Sequence, residues 1–316
     1  MNSAVLLSTS ELVIRKDSRK PLDLALLSGS MLAALGDETT VAPELGRILA
    51  GRSGPVSGRI LPGDVSTIKE KADPGMTVGY VPGETRWPKR ISVRAHLELA
   101  AAAAGYPVRK TTEAVNGMLE WCSLEDSGER SVTGLPREKQ YLVSFATTCI
   151  SVPKVLVLQG PCPTEVHELL EDLCEYGSAV VVCVPGIEHI PRGTDRVAVC
   201  DGSDVRKILR FEELAEASSA LTRLRVGFLP ALPREVMESL TGIRNIIAVE
   251  KGYEFLYASL SPTVTNLVNL ARANSRSIVS LEVRPPTNAE LLEYLTGKED
   301  TGEANLFCEE DLDTSG

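Results

Sequence analysis

Apolar residues along the chain follow two alternating periods. Unbroken apolar runs closed by Gly or Pro, namely 31–36 (MLAALG), 77–82 (TVGYVP), 154–160 (KVLVLQG), 179–185 (AVVVCVP) and 196–201 (RVAVCD), read as strands buried on both faces. Between them, 42–51, 92–106, 111–124, 138–150 and 164–177 carry apolar positions at helical spacing. Alternation of this kind predicts an α/β architecture with a parallel sheet. From about Glu84 to Ser151 helical patterns follow one another without a strand, which predicts a helical insertion of about 84–151. After Thr222 the rhythm becomes strand, helix, strand, strand, helix, strand, helix, the order of a split βαβ unit. Three parts are therefore expected: 1–220, a small α+β domain over 221–298, and an acidic, mobile tail over 299–316 that lacks periodicity.

The passage from the first of these strands into its helix, LGDETTVAPELGRILAG, has the strand, tight loop and helix of a phosphate-binding frame. Its chemistry is opposite in sign. The loop carries no lysine and instead holds Asp37 and Glu38, with Glu44 beside it. Three carboxylates facing one loop repel a phosphate, each by roughly 3 kcal/mol at about 5 Å and an effective dielectric near 20. A chance turn before a surface helix would give the same stretch.

Composition narrows the class. With 316 residues, 43% hydrophobic and 24% charged, the chain has length for one large domain or two. A net charge of −10 argues against a nucleic-acid partner, because binders of polyphosphate backbones show a basic face. Seven cysteines without a paired CxxC spacing suit a reducing compartment and small core residues, rather than a disulfide framework. No apolar run is long enough to span a membrane and the first ten residues lack a secretory pattern, so the expected address is cytoplasmic.

From Gly36 onward the series of motifs resembles the nucleotide-binding subunit of ABC transporters, over roughly residues 11 to 215. The loop is followed by RILAG and SGRI; GYVPGE resembles the strand before the family's glutamine loop; ISVRAHLELAAAAAGYP resembles the helix after it. LPREKQYLVSFATTCISVPKVLVLQGPC resembles the signature loop, its helix and the strand that bears the metal and base carboxylates. DRVAVCDGSDV resembles the strand and turn after the switch histidine. SLEVRPPTNAELLEYLTG is similar to the C-terminal domain of the drug and polymer exporter branch. The resemblance implies a P-loop NTPase-like ABC nucleotide-binding domain.

Against that family the chemical positions have changed. A working G-x-x-x-x-G-K-[ST] loop cradles phosphates on backbone N–H groups, neutralises them with Lys and holds magnesium through a hydroxyl. Here Gly36 keeps the first place, followed by Asp37, Glu38, Thr39 and Thr40; Val41 stands at the second glycine, Ala42 at the lysine and Pro43 at the hydroxyl. Gln159 and Gly160 stand where the family has its metal Asp and its base Glu; Gly83 stands at the glutamine, LPREK replaces LSGGQ, and Pro185 falls at the switch histidine. The resemblance thus implies a vestigial phosphate loop, no catalytic residues, and neither metal nor nucleotide as cofactor; ATP and magnesium would be needed only if the motifs are atypical and active. No aromatic near Arg15 to Arg19 offers a stacking face for adenine. A register slip would bring His189 to the switch position.

One surface segment stands out. Arg86, Trp87, Lys89 and Arg90, next to Gly83, lie where the family grips the short cytoplasmic helix of its membrane subunit, and a Trp among cations has the composition of an interface anchor. The alternative is a basic loop that packs Trp87 on its own domain. His96, His167 and His189 are far apart in sequence and make no metal pattern. Three functions are compatible with the whole. The first is a non-catalytic subunit of an ABC exporter, peripheral on the inner face of the membrane, docking a permease and forming a homo- or heterodimer with another ABC ATPase subunit. The second is a soluble scaffold or regulator derived from such a subunit. The third is an ATPase with atypical motifs.

Overall fold

The computed structural model describes residues 4–63, 78–250 and 252–296, so the expected tail at 299–316 lies outside the described residues. The chain divides between Phe211 and Glu212 into two compact units.

The first unit is built on a six-stranded sheet. Its strands are β3 (Met31–Leu35), β5 (Val78–Val81), β6 (Val155–Gln159), β7 (Ala179–Val184), β8 (Arg196–Asp201) and β9 (Asp204–Arg210), in the spatial order β5-β6-β7-β3-β8-β9. The first five run parallel and β9 closes the edge antiparallel to β8. Every residue of β3, β6 and β7 is buried, which is why these segments read as continuous apolar runs. Helix α1 (Ala42–Leu49) lies on β3, β6 and β7 through Leu45, Ile48 and Leu49.

A second, three-stranded antiparallel sheet precedes and borders this core, in the order β2-β1-β4, from β1 (Val5–Val13), β2 (Leu22–Leu27) and β4 (Ser57–Pro62). The sequence pattern did not announce these strands. Their apolar residues alternate with polar ones over only a few positions, and buried Thr9 interrupts β1; its hydroxyl donates to the Leu22 carbonyl at 2.9 Å and accepts from the Leu24 N–H at 2.9 Å. Between β5 and β6 come α2 (Val93–Ala103), α3 (Val108–Trp121) and α4 (Arg137–Cys149), in the region expected to be helical. Ser92 caps α2 by accepting from the Ala95 N–H at 3.2 Å. Phe145 of α4 is fully buried with its ring 5.7 Å from that of Trp121, whose Nε1 donates to Asp172 Oδ2 on α5 (Thr164–Glu175) at 2.8 Å.

After α6 (Phe211–Leu221), the second unit carries a four-stranded antiparallel sheet in the order β11-β12-β10-β13, from β10 (Arg223–Leu229), β11 (Ile243–Val249), β12 (Gly252–Tyr257) and β13 (Ser277–Arg284). Besides α6, which starts at the boundary, the helices of this unit among the described residues are α7 (Arg234–Glu238), α8 (Leu260–Ala273) and α9 (Asn288–Thr296). The core is one face of the central strands, Leu224, Val226, Phe228, Tyr253 and Phe255, closed by Leu267 and Ala271 of α8. This is the split βαβ order, with β10 and β12 in the centre.

Phe145 joins the helical layer to the rest of the first unit. Phe145→Ala is expected to cost about 3–5 kcal/mol in urea unfolding, the range for a buried aromatic whose site cannot collapse fully.

Candidate functional site

The carboxyl ends of β3, β6 and β7 meet where the strand order reverses, the place at which open α/β sheets hold ligands. Gly36, at the end of β3, donates its N–H to the Val184 carbonyl of β7 at 2.9 Å, so the loop starts directly beside Pro185. From there the chain makes a turn that satisfies itself. The Thr40 N–H donates to the Asp37 carbonyl at 3.1 Å. The Asp37 carboxylate accepts from both the N–H and the hydroxyl of Thr39, at 2.9 and 2.6 Å. The Thr40 hydroxyl donates to the Asp37 carbonyl at 2.9 Å, and the Ala42 N–H points at that hydroxyl at 3.4 Å. Thr40 folds back so closely that a Cβ on Gly36 would lie 2.2 Å from its Oγ1. Three of the loop's N–H donors, those of Thr39, Thr40 and Ala42, are thus taken within the loop itself, by Asp37 and by the Thr40 hydroxyl.

Val41 and Ala42, which the resemblance sets at the second-glycine and lysine places, are withdrawn from the surface. Val41 and Ala42 have 0% exposure and belong to the core cluster with Leu45 and Ile48. Pro43 comes next, in the first turn of α1, where it supplies no N–H, and no side chain caps the helix.

Glu44 departs from the sequence expectation. Its place in the chain puts it facing the loop as a third free carboxylate, but it is ion-paired with the Arg15 guanidinium. Arg15 also donates to the carbonyls of Thr39 at 3.0 Å, Thr40 at 2.9 Å and Gly202 at 3.3 Å. One cation thus ties the turn after β1 to the loop and to the β8–β9 turn. Neighbouring contacts reinforce the tie: Ser18 Oγ donates to the Ser203 carbonyl at 2.6 Å and the Arg19 N–H to Asp204 Oδ1 at 2.8 Å. Sequence spacing carries no sign of Arg15's role, because its partners lie on two other segments. Asp37 is likewise engaged, and hydrogen bonds from the Thr39 side chain and backbone hold its carboxyl below the ordinary value of 3.8. Glu38 is exposed.

At the end of β6, Gln159 is buried, and its Nε2 donates to the Pro43 carbonyl at 2.9 Å and approaches Cys183 Sγ at 3.7 Å. It ties β6 to the start of α1 by a neutral bond, at the place where the resemblance implies a metal carboxylate. Gly46 of α1 makes room, since a Cβ there would lie 2.3 Å from Gln159 Nε2 and 2.5 Å from Cys183 Sγ. Gly160 has φ +77 and donates to the Cys183 carbonyl at 2.9 Å. Gly83 sits against the same strand end, where an added Cβ would be 3.0 Å from the Gln159 carbonyl oxygen. The structure therefore brings together loop 36–43, Gly83, Gln159, Gly160 and Pro185.

Other candidates resolve simply. Burial pushes the Cys183 thiol up to about 12, which removes it as a nucleophile near neutral pH. His189 lies in a short turn, Ile187–His189, with Nε2 3.6 Å from Glu188 Oε1. Among the described residues no group of three His, Cys, Asp or Glu could hold a metal ion. LPREK opens α4, with Pro136 at its N-cap and Gln140 Nε2 returning to the Leu135 carbonyl at 2.8 Å. Trp87 is half-buried, edge-on to the ring of His96 in α2 at 5.0 Å, while Arg86, Lys89 and Arg90 are exposed. Burial lowers the His96 pKa, so this ring is neutral beneath Trp87 near neutral pH.

No family profile matches the chain. Curated relatives do. It is 23% identical over 286 residues to the daunorubicin resistance ATP-binding protein DrrA3 of Streptomyces coeruleorubidus, covering 87% of this chain and 90% of the relative. It is 24% identical over 296 residues to the Nod factor export ATP-binding protein I of Rhizobium sp. strain N33, covering 88% and 91%. Among solved structures, CbiO1 of Clostridium perfringens, part of an ABC transporter complex, superposes with a TM-score of 0.56 at 19% identity over 67% of this chain and 91% of its own. An inward-facing conformation of a metal-chelate type ABC transporter gives 0.55 at 19% identity over 84% of this chain and 100% of its own. The fold is that of an ABC nucleotide-binding domain.

Arg15→Met is expected to lower stability by roughly 1–3 kcal/mol, since it leaves three carbonyls and Glu44 without their cation, with the loss discounted for partial exposure. Amide exchange should quicken at 37–41 and at Gly202 while the central strands keep their protection. For Asp37 the folded pKa is the depressed one, so its contribution is fully present above the ordinary value of 3.8 and is lost as pH falls through the lower folded value. The Thr39 amide resonance should report that titration, and Asp37→Ala should abolish it.

Proposed function

We propose that this chain, a homologue of the ATP-binding proteins of ABC transporters with their nucleotide-binding fold, is a subunit of an ABC exporter that does not hydrolyse ATP. It docks a membrane permease and pairs with a competent ATPase subunit. The observation that carries the reading is the loop's own bonding: Asp37 and the Thr40 hydroxyl take the N–H groups of Thr39, Thr40 and Ala42, and Ala42 sits buried at the place the resemblance sets for the family's lysine. Gln159, bonded to the Pro43 carbonyl, and Gly160 supply neither a metal carboxylate nor a base. Phosphoryl transfer depends on positioned charge; the cation at this loop, Arg15, is engaged by Glu44 and the loop carbonyls, and Gly83, Gln159, Gly160 and Pro185 add none.

Docking is supported by the exposed cations Arg86, Lys89 and Arg90 on a segment braced by Trp87 against His96 and by Thr85 Oγ1, 3.2 Å from Ser144 Oγ in α4. No helix among the described residues is long and apolar enough to cross a membrane, so on this reading the membrane contact is made through another chain. The soluble scaffold is the second reading. It is favoured by the half-burial of Trp87, which leaves less of the ring for a partner.

Calorimetric titration with Mg-ATP is expected to show no saturable binding; micromolar affinity with turnover would end the proposal. The double variant Ala42→Lys with Pro43→Ser should remain without ATPase activity while Gly160 is in place, and measurable hydrolysis would contradict the assignment of the base position. Trp87→Ala should reduce recovery of the chain with detergent-solubilised permease by more than its small loss of thermal stability explains. Recovery of the wild type only as a free soluble species would select the scaffold.

A further inference from the structure

We infer that His96 is a proton-operated latch: while neutral it moors Trp87, and with it the segment 85–91, to α2, and on taking a proton it releases both. The segment is the one used for docking above, but the inference rests on the first unit's own geometry and is the same under either reading of the function.

The segment is tied down at its two ends. Thr85 Oγ1 lies 3.2 Å from Ser144 Oγ of α4, and the Ile91 carbonyl accepts from the Val132 N–H at 3.3 Å. Among the described residues no hydrogen bond ties residues 86–90 to another element. Between the two ends the mooring is the edge-on contact of Trp87 with His96, with ring centroids 5.0 Å apart and planes at 72°. Arg90, close to the second end, has φ +66, a left-handed conformation that costs a side chain with a Cβ and persists only while its surroundings hold it. A stretch with so few ties lies at the low end of local stability.

A neutral imidazole suits this place and a charged one does not. Nε2 of His96 is buried and has no hydrogen-bond partner among the described residues. Protonation makes both ring nitrogens donors, and a buried cation without an acceptor carries a desolvation cost that opening to water removes. No acid offsets that cost. The acids on the elements around it are exposed: Glu84 on the segment side, Glu98 on α2, Glu113 and Glu120 on α3, Glu125, Asp126 and Glu129 in the following turn, and Glu138 on α4. Glu129 and Glu84 are moreover paired with Arg94 and Arg137, at 2.7 and 4.0 Å. The cations there repel an imidazolium: Arg86, Lys89 and Arg90 on the segment itself, Arg94 on α2, Arg109 and Lys110 on α3, Arg130 in the turn, and Arg137 and Lys139 on α4. Burial is the cause that lowers the His96 pKa from 6.5.

The sign follows from linkage. The closed segment holds the depressed value, so its stability is fully present above 6.5 and falls as pH drops towards the lower, closed-state value. Across that interval the opening constant rises about tenfold per pH unit.

Amide exchange of the full chain, corrected for the intrinsic pH dependence of exchange, should be at least about threefold faster over 86–91 near about pH 5.5 than near about pH 7.5, with β6 and β7 still protected. His96→Phe keeps a ring beneath Trp87 that cannot take a proton, and should remove the acid response. Should that variant fail to fold, His96→Gln removes the titration equally. The imidazole resonances of His96, one of 3 histidines and assigned by their loss in His96→Gln, should titrate below 6.5. Exchange over 86–91 that is unchanged between the two pH values overturns the proposal. So does the same acid response in both variants, or loosening of the whole first unit together. A His96 midpoint above 6.5 overturns it too, by showing that the imidazolium is held on the indole. None of these readouts uses a permease, so their failure and that of the docking reading are distinguishable.

Discussion

A tight turn from a buried strand into a helix brings several backbone N–H groups to one point, and each must find an acceptor. In this chain three of them find it within the loop. Asp37 takes the Thr39 N–H, the Asp37 carbonyl takes that of Thr40, and the Thr40 hydroxyl lies before that of Ala42. The remaining organisation of the site depends on this closure. A turn closed on itself can sit against the core, which lets Val41 and Ala42 be apolar and fully buried. Its carbonyls are then the groups left facing outward, and they meet a cation of the protein, Arg15, whose charge is balanced by Glu44. The polarity expected of a phosphate loop, donors outward to an anion, is reversed.

The end of β6 likewise holds itself without a charge. Two buried carboxylates near one another would need a metal or a proton to be tolerated. Gln159 needs neither, because its amide finds the Pro43 carbonyl. That bond joins β6 to α1 without an ion, and Gly46 leaves the space for it. Gly83 and Gly160 then approach the same strand end with little side-chain volume between them. On the proposed reading, direct hydrogen bonds and small residues hold the geometry that a nucleotide and its metal hold in an active relative.

The parallel strands and their helices were legible in the sequence because burial on both faces leaves unbroken apolar runs, and 3.6-residue periodicity marks helices that cover them. The strands β1, β2 and β4 were not legible, since short, half-exposed alternation is weak and Thr9 and Ser8 occupy buried places in β1. The residues that the resemblance singles out, from Gly36 to Pro185, could be placed in order along the chain. Their mutual contacts were not: the Gln159–Pro43 bond spans 116 residues, and the Arg15–Gly202 bond spans 187. Charge counting set Glu44 beside Asp37 and Glu38 as a third free acid, because nothing local shows that an arginine from another segment neutralises it.

The two units differ in what covers their apolar surface. In the first, β3 lies between β7 and β8 and meets α1, so its apolar side chains are fully buried. In the second, the sheet's core face reaches β13 before the helices have covered it, and Leu281 and Val283 stay half in solvent. Both edge strands of this sheet, β11 and β13, carry an irregularity in their pairing, a feature that discourages extension of the sheet.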